Sequence, residues 1–256
     1  MERAAVLEAD YIATGHYAQI ERGPGGIVLK KAVDASKDQS YVLFGMGQQQ
    51  LARTLMPVGA YPKSEIRQMA EDAKLMHAAK PDSQDICFIP SGDYKSFLKK
   101  RLETVPGDIV DLDGTVVGRH EGIEYFTIGQ RRGLGIAEVE PRYVVRIEPE
   151  SHRVVIGPEE ALMRDEMVVS AVNYPLGHSP EGPVDVSVKI RYKSSEAAAV
   201  LHPTGDGAIV RFSKPQRSVT PGQAAVFYQG DVLLGGGTIE PGVSQGVTED
   251  LPTAPA

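Results

Sequence analysis

The sequence predicts a multidomain α+β protein in which an α/β segment is followed by two β-rich modules. Apolar residues recur at helical spacing only in the first part of the chain, up to residue 105. From Pro106-Gly107 onward, short apolar runs follow one another with turn residues between them, as in small barrels and sandwiches. We therefore expect an α/β segment over 1–105, a central β domain over 106–163 and a C-terminal β-barrel over 164–241. The tail over 242–256, rich in proline, threonine and acidic residues, is expected to be disordered.

The α/β segment begins with the end of a helix and one buried strand, over 10–17, that runs into a loop. Such a strand suits a parallel sheet whose strand ends carry the site. Because a lone parallel strand cannot satisfy its backbone groups or cover its faces, the first part of this sheet is expected to be absent from the chain. The other elements predicted here are a turn at 23–26, a strand over 27–32, and helices over 40–55, 63–76 and 93–102.

The β-rich part begins with a hairpin, since Asp113-Gly114 separates two short strands over 108–112 and 115–119. Further strands continue at regular spacing to residue 234, which favours a small barrel or sandwich. They are predicted over 143–148, 153–157, 168–172, 184–192, 197–201, 208–212, 224–228 and 232–234.

The composition is that of an ordinary globular protein, with 41% hydrophobic and 24% charged residues. No apolar run approaches the length of a membrane helix, and no secretory signal is evident, so we expect a cytoplasmic protein without a membrane partner. The single cysteine excludes an internal disulfide and a cysteine-based zinc site, and no metal site is predicted. The net charge of −7 argues mildly against nucleic-acid binding, although local patches matter more.

That single cysteine, Cys87, lies in a polar loop bracketed by Pro81 and Pro90 rather than in an apolar run. Reactive groups are often placed in such constrained loops. A working thiolate would need nearby positive charge, and Lys80 is the near candidate, whereas Asp82 and Asp85 oppose it. On the residues alone, a reactive thiol and an inert, half-buried thiol are equally consistent with this setting.

Five motifs stand in series along the chain: YIATGHY at 11–17, KDQSY at 37–41, KPDSQDICFI at 80–89, FTIGQRRGLG at 126–135 and TPGQ at 220–223. Together they resemble one enzyme family, the bacterial tRNA-specific 2-thiouridylases, over about residues 1–240. The resemblance implies an adenylating domain of the PP-loop type, a small central β domain and a C-terminal β-barrel. It implies ATP, bound with magnesium, as cofactor, and 2-thiolation of the wobble uridine, position 34, of tRNA. The implied partners are tRNA and a sulfur-donor protein, either a persulfide relay or a cysteine desulfurase.

The resemblance also assigns site residues. Cys87 matches the cysteine that carries the persulfide, and Gly15 matches a position that contacts ATP. The positions that match tRNA contacts are His16, Lys37, Asp38, Gln39, Arg191, Tyr192 and Gln223. On the residues alone, Gly15-His16 could instead be a strand-end turn, and residues 37–39 a solvated loop that caps the next helix.

The chain departs from the family pattern because it lacks the Ser-Gly-Gly-Val-Asp-Ser phosphate loop and the Asn-Pro-Cys segment with the second cysteine. The resemblance therefore implies the C-terminal part of such an enzyme, and we expect the chain alone neither to hydrolyse ATP nor to thiolate tRNA. The alternatives are a non-catalytic tRNA- or RNA-binding module and an inactive fragment.

Residues 186–217 carry a local excess of positive charge, as phosphate contacts require. Six cations (Lys189, Arg191, Lys193, Arg211, Lys214 and Arg217) stand there against Glu196 and Asp206. A charged outer face of a barrel is the other interpretation. Arg131-Arg132 is equally compatible with a phosphate contact and with a structural pairing to Glu121 and Glu124.

Overall fold

The computed structural model of this chain describes residues 2–76, 78, 94–136 and 140–242. Its first part mixes short helices and strands, as expected from the sequence. The elements are α1 (Glu2–Val6), β1 (Ile12–Ala13), β2 (Ala18–Gly23), β3 (Gly26–Lys31), a 3-10 helix (Ser40–Leu43), α2 (Gln48–Ala52), β4 (Thr54–Leu55), α3 (Lys63–Asp72) and α4 (Tyr94–Lys99). None of the described helices is long and apolar enough to cross a membrane.

Two expectations for this part were wrong in detail. The apolar strand is only two residues long; β1 pairs in parallel with β4, and Ala13 is exposed rather than buried. The single helix expected over 40–55 is instead the 3-10 helix and α2, separated by a segment that contains Gly45 and Gly47. Glycine in a helix interior costs about 1 kcal/mol relative to alanine, so two of them favour a break at this point.

The central domain is a four-stranded sheet in the order β6-β5-β8-β7. The strands are β5 (Gly107–Val110), β6 (Val116–His120), β7 (Tyr143–Glu148) and β8 (Arg153–Gly157), with a 3-10 helix at Ile123–Tyr125. The hairpin predicted at Asp113-Gly114 is present between β5 and β6, with Gly114 at a φ of 86°. Ile109, Val144 and Val154 are fully buried in its core.

The C-terminal module is a closed six-stranded barrel, as the regular spacing of its strands indicated. Its order is β13-β10-β11-β12-β9-β14, and pairing of β13 with β14 closes it. The strands are β9 (Met163–Asn173), β10 (Val184–Lys189), β11 (Ala197–Thr204), β12 (Gly207–Arg217), β13 (Ala224–Gln229) and β14 (Val232–Ile239), after a 3-10 helix at Glu159–Leu162. Alternate side chains such as Val188, Leu201 and Val210 fill the interior.

The hairpin of β2 and β3 extends the barrel sheet, which the sequence did not indicate. Lys30 of β3 pairs with Val232 at the start of β14, while β9 pairs with the later residues of β14 along the same edge. A second core fills the space between the first segment and the barrel. Its buried members are Ala18, Leu29, Tyr41, Leu51, Met56, Val226, Tyr228 and Leu233. The α/β segment is therefore packed directly against the C-terminal module.

His120, buried at the end of β6, makes the stability of the central domain depend on pH. Its Nε2 lies 3.1 Å from the carbonyl oxygen of His152, which can only accept, and its Nδ1 has no hydrogen-bond partner among the described residues. Burial lowers the pKa of His120 below the ordinary value of 6.5, although Glu124 and Asp108 oppose that shift. The folded protein therefore favours the neutral ring, while the unfolded chain takes up a proton below about pH 6.5.

We expect the free energy of unfolding to hold above about pH 6.5 and to decrease as the pH falls through the lowered pKa of His120. Urea unfolding followed by circular dichroism, in buffers from about pH 8 to about pH 5, measures this. His120→Gln should reduce the loss at acidic pH, whereas His178→Gln, at an exposed histidine, should leave it unchanged. The same loss in both variants would contradict the assignment to His120.

Candidate functional site

The carboxyl end of β1 carries Gly15 and His16, which the sequence analysis singled out. The Thr14 hydroxyl lies 2.7 Å from Nδ1 of His16 and accepts a hydrogen bond from the His16 backbone N–H at 3.1 Å. These two contacts fix the imidazole against the strand end, with the residue half-buried. Gly15 is exposed, and a side chain added there would meet no atom of the described residues within 4 Å, so none of these residues blocks an approaching group.

Gln39 is tied to the residue that follows His16. Its side-chain oxygen accepts a hydrogen bond from the Tyr17 N–H at 3.0 Å, and its own N–H donates to the Tyr17 carbonyl at 2.8 Å. This reciprocal pair brings the loop over 37–39 beside the end of β1. His16 and Gln39, although 23 positions apart in the sequence, therefore belong to one surface.

Asp38, in the same loop, uses both carboxylate oxygens inside the protein. Oδ1 accepts from the Ala32 N–H at 2.9 Å, and Oδ2 accepts from the Ser40 hydroxyl at 2.8 Å. The Ser40 hydroxyl in turn lies 3.0 Å from the Tyr228 hydroxyl in the second core. Through these contacts Asp38 holds the end of β3 and the start of the 3-10 helix together. Lys37, next to it, is half-buried.

Tyr41 links this loop to the barrel. Its ring is buried, and its hydroxyl donates to the Ala224 carbonyl at 2.8 Å. The ring centroid lies 6.0 Å from that of Tyr192, with the two planes inclined at 52°. Burial raises the pKa of Tyr41, and the positive charge of Arg191 opposes that shift.

Arg191 is anchored on backbone oxygens rather than on a carboxylate. Its Nη2 donates to the carbonyl of Arg217 at 3.1 Å and to that of Ser218 at 2.8 Å. The turn that follows is closed because Ser194 donates to the Arg191 carbonyl from both its N–H, at 3.1 Å, and its hydroxyl, at 2.9 Å. The loop after β10, which presents Tyr192, is thereby held at both ends.

Gln223 lies beside this group because it directly precedes Ala224, the acceptor of the Tyr41 hydroxyl. Its backbone is paired with Ile239, whose N–H donates to the Gln223 carbonyl at 2.8 Å, and its side chain is exposed. The structure therefore connects His16, Gln39, Arg191, Tyr192 and Gln223. Sequence reasoning included Tyr41 in the KDQSY motif but missed that it links these residues, because a single aromatic residue is typical of ordinary core packing.

The positively charged side chains of the barrel differ in their ion pairs and in their exposure to solvent. Arg211 pairs with Glu166 at 2.7 Å, and Arg217 pairs with Glu159 at 2.9 Å and lies over the Tyr143 ring. Lys193 and Lys214 are exposed, and neither makes an ion pair within the described residues. Arg131 is also exposed, beside a cleft of about 280 Å³ in the central domain. Cys87 lies outside the described residues.

Three family models match consecutive stretches of the chain. They are described as a tRNA methyl transferase HUP domain, matching residues 1–91, a tRNA methyl transferase PRC-barrel domain, matching 95–158, and an aminomethyltransferase beta-barrel domain, matching 164–239. The three-part architecture expected from the motifs is thereby confirmed.

Curated relatives match along nearly the whole chain. It is 47% identical over 244 residues to the tRNA-specific 2-thiouridylase MnmA of Pelotomaculum thermopropionicum, covering 94% of this chain and 67% of that protein. It is 49% identical over 250 residues to the protein of the same name from Rhodospirillum centenum, covering 93% of this chain and 64% of that protein. The chain therefore spans about two thirds of the length of the curated relatives it matches.

Proposed function

Because this chain belongs to the tRNA-specific 2-thiouridylase family, we propose that it acts in replacing the 2-oxygen of the wobble uridine of tRNA by sulfur. The observation that carries this proposal is the joint surface at which the first segment and the barrel meet. His16 and Gln39 come from the first segment, and Arg191, Tyr192 and Gln223 come from the barrel. A surface built from both modules suits a large folded RNA better than a small substrate.

In the proposed chemistry, sulfur replaces the 2-oxygen of the uridine, which is a poor leaving group. ATP supplies adenylation of the 2-oxygen, so that the oxygen departs with AMP. The terminal sulfur of a persulfide on Cys87 forms the new bond to carbon 2. The sulfur–sulfur bond then breaks on attack by a second thiol, which is left in a disulfide with Cys87. The sequence contains no second cysteine, so this thiol must come from outside it.

Gly15 is the described residue that we propose to lie against ATP. It follows β1, at the carboxyl end of a parallel strand, where nucleotides bind in open α/β sheets. Its exposed backbone and the open space around it fit the close approach of a nucleotide. The phosphates would need a further loop, because the sequence contains no glycine-rich segment of the PP-loop pattern.

The proposed tRNA contacts divide into two kinds. The exposed Lys193 and Lys214 are suited to phosphates, and their contribution should weaken steeply with salt. His16, Gln39 and Gln223 offer hydrogen-bonding groups instead of positive charge. Asp38 is better suited to hold this loop in place than to meet RNA, because both of its oxygens are already engaged.

The test combines sulfur loading with tRNA binding on the full chain. Incubation with a cysteine desulfurase and radiolabelled cysteine should place labelled, reductant-sensitive sulfur on the wild type and none on Cys87→Ser. Both proteins should bind an unmodified tRNA transcript with equal affinity. Equal labelling of both would contradict the role of Cys87. Salt-sensitive tRNA binding without any labelling would favour the non-catalytic RNA-binding module instead.

A further inference from the structure

Tyr192 is an exposed aromatic residue on a basic loop, which is unusual in a chain that has no tryptophan and only 6% aromatic residues. Its side chain is 39% exposed, in the turn between β10 and β11, with Arg191 before it and Lys193 after it. Proteins that bind unpaired nucleic acid combine these two features, an aromatic face for a base and cations for the backbone.

The ring of Tyr192 is supported from behind by Tyr41. The centroid separation of 6.0 Å lies in the range of favourable aromatic pairs, and the tilted arrangement is one that such pairs adopt. Tyr41 is itself fixed, because its ring is in the second core and its hydroxyl is bonded to the Ala224 carbonyl. The support for Tyr192 therefore comes from the first segment, whereas its own backbone belongs to the barrel.

The loop that presents Tyr192 is held in one conformation before any ligand arrives. Arg191 is bonded to two backbone carbonyls, and Ser194 closes the turn on the carbonyl of Arg191. A ring held in this way loses little conformational freedom when a flat group stacks on it, so more of the stacking energy remains for binding.

We propose that Tyr192, backed by Tyr41, is a stacking platform for an unpaired base of the bound RNA. The inference rests on the proposed function, since it assumes RNA at this surface, and it specifies which part of the RNA lies there. Bases inside a helical stem are already stacked on both faces, so a platform of this kind selects a loop nucleotide. Tyr41 acts as a positioning residue, because it reaches the RNA only through Tyr192.

The experiment measures binding of the full chain to two RNAs, an anticodon stem-loop and a blunt duplex with the same stem sequence. Tyr192→Ala should weaken stem-loop binding roughly tenfold and leave duplex binding unchanged, whereas Tyr192→Phe should bind like the wild type. Tyr61→Ala is the matched control, because Tyr61 is similarly exposed, at 37%, and stands between Ala60 and Pro62 rather than between two cations. It should change neither affinity.

Salt dependence separates stacking from charge. Tyr192→Ala should keep the wild-type slope of log affinity against log salt. Lys193→Ala should reduce that slope by the amount that corresponds to about one phosphate contact. Tyr41→Leu should weaken stem-loop binding when Tyr192 is present. In the Tyr192→Ala variant it should cause no further loss of affinity, because Tyr41 acts through Tyr192.

Different results overturn different claims. If the wild type binds RNA and Tyr192→Ala loses no affinity, the platform is wrong and the proposed function stands. The same holds if Tyr192→Ala loses as much affinity for the duplex as for the stem-loop. A further loss from Tyr41→Leu in the Tyr192→Ala background overturns the positioning role of Tyr41. Failure of the wild type to bind either RNA overturns the proposed function, and the platform with it.

Discussion

Gly59→Ala is expected to lower the free energy of unfolding by about 3 kcal/mol, at the upper end of what overpacking costs. An added Cβ would lie 1.7 Å from the carbonyl oxygen of Ala18 and 2.4 Å from its carbonyl carbon. Both atoms belong to the backbone at the start of β2, so no side chain can rotate away to relieve the clash. The turn after β4 would have to move away from the hairpin that joins the barrel.

Gly45→Ala is the control for this change, because a Cβ there would meet no atom within 4 Å. It should alter the free energy of unfolding by no more than about 0.5 kcal/mol. Urea unfolding followed by far-ultraviolet circular dichroism compares the two variants with the wild type. If Gly59→Ala were as stable as Gly45→Ala, the close approach of the turn to β2 would be wrong.

Tyr228→Ala is expected to cost about 3–5 kcal/mol, as for other large aromatic side chains removed from a core. Tyr228 is fully buried in the second core, and the ammonium group of Lys31 lies 4.5 Å from its ring centroid. Its removal would leave a cavity in the second core, between the first segment and the barrel. Thermal and urea unfolding would both show the loss.

Tyr228→Phe separates the ring from its hydroxyl. The hydroxyl is bonded to Ser40, which keeps its contact with Asp38 in the variant, so the cost should be only about 1 kcal/mol. Burial raises the pKa of Tyr228, so the hydroxyl stays protonated and can act as a donor. An equal loss in the alanine and phenylalanine variants would mean that the hydroxyl, and not the packing of the ring, dominates.

Local patterns predicted the barrel and the central domain well, because strands such as β10 and β11 alternate buried and less buried residues and the turn at Asp113-Gly114 has its own signal. They failed where pairing depends on distant residues. The hairpin of β2 and β3 has an ordinary turn at Pro24-Gly25, and nothing local indicates that Lys30 pairs with Val232. Such a contact is decided by the shape of the assembled barrel.

The site was predicted in part. Motif resemblance pointed to residues in five separate stretches of the sequence, and the structure connects described ones among them through Tyr41. The resemblance could not separate the roles of Asp38 and Gln39, which are neighbours in one motif. Hydrogen bonding does so, because Asp38 is engaged on both oxygens, while Gln39 ties the loop to the strand that carries His16. The role of Cys87 stays a prediction.

The pairing of β3 with β14 has a consequence for the order in which the chain acquires its final form during synthesis. The hairpin leaves the ribosome about two hundred residues before its partner strand, which spans Val232–Ile239. Until then β3 has no β14 to pair with, and Tyr41 likewise waits for Tyr192, its ring partner, and Ala224, its carbonyl acceptor, which are made later than itself. The barrel that carries part of the surface we assign to RNA closes only when β14 pairs with β13, so a ribosome-bound nascent chain that stops short of β14 should be unable to bind RNA at this surface.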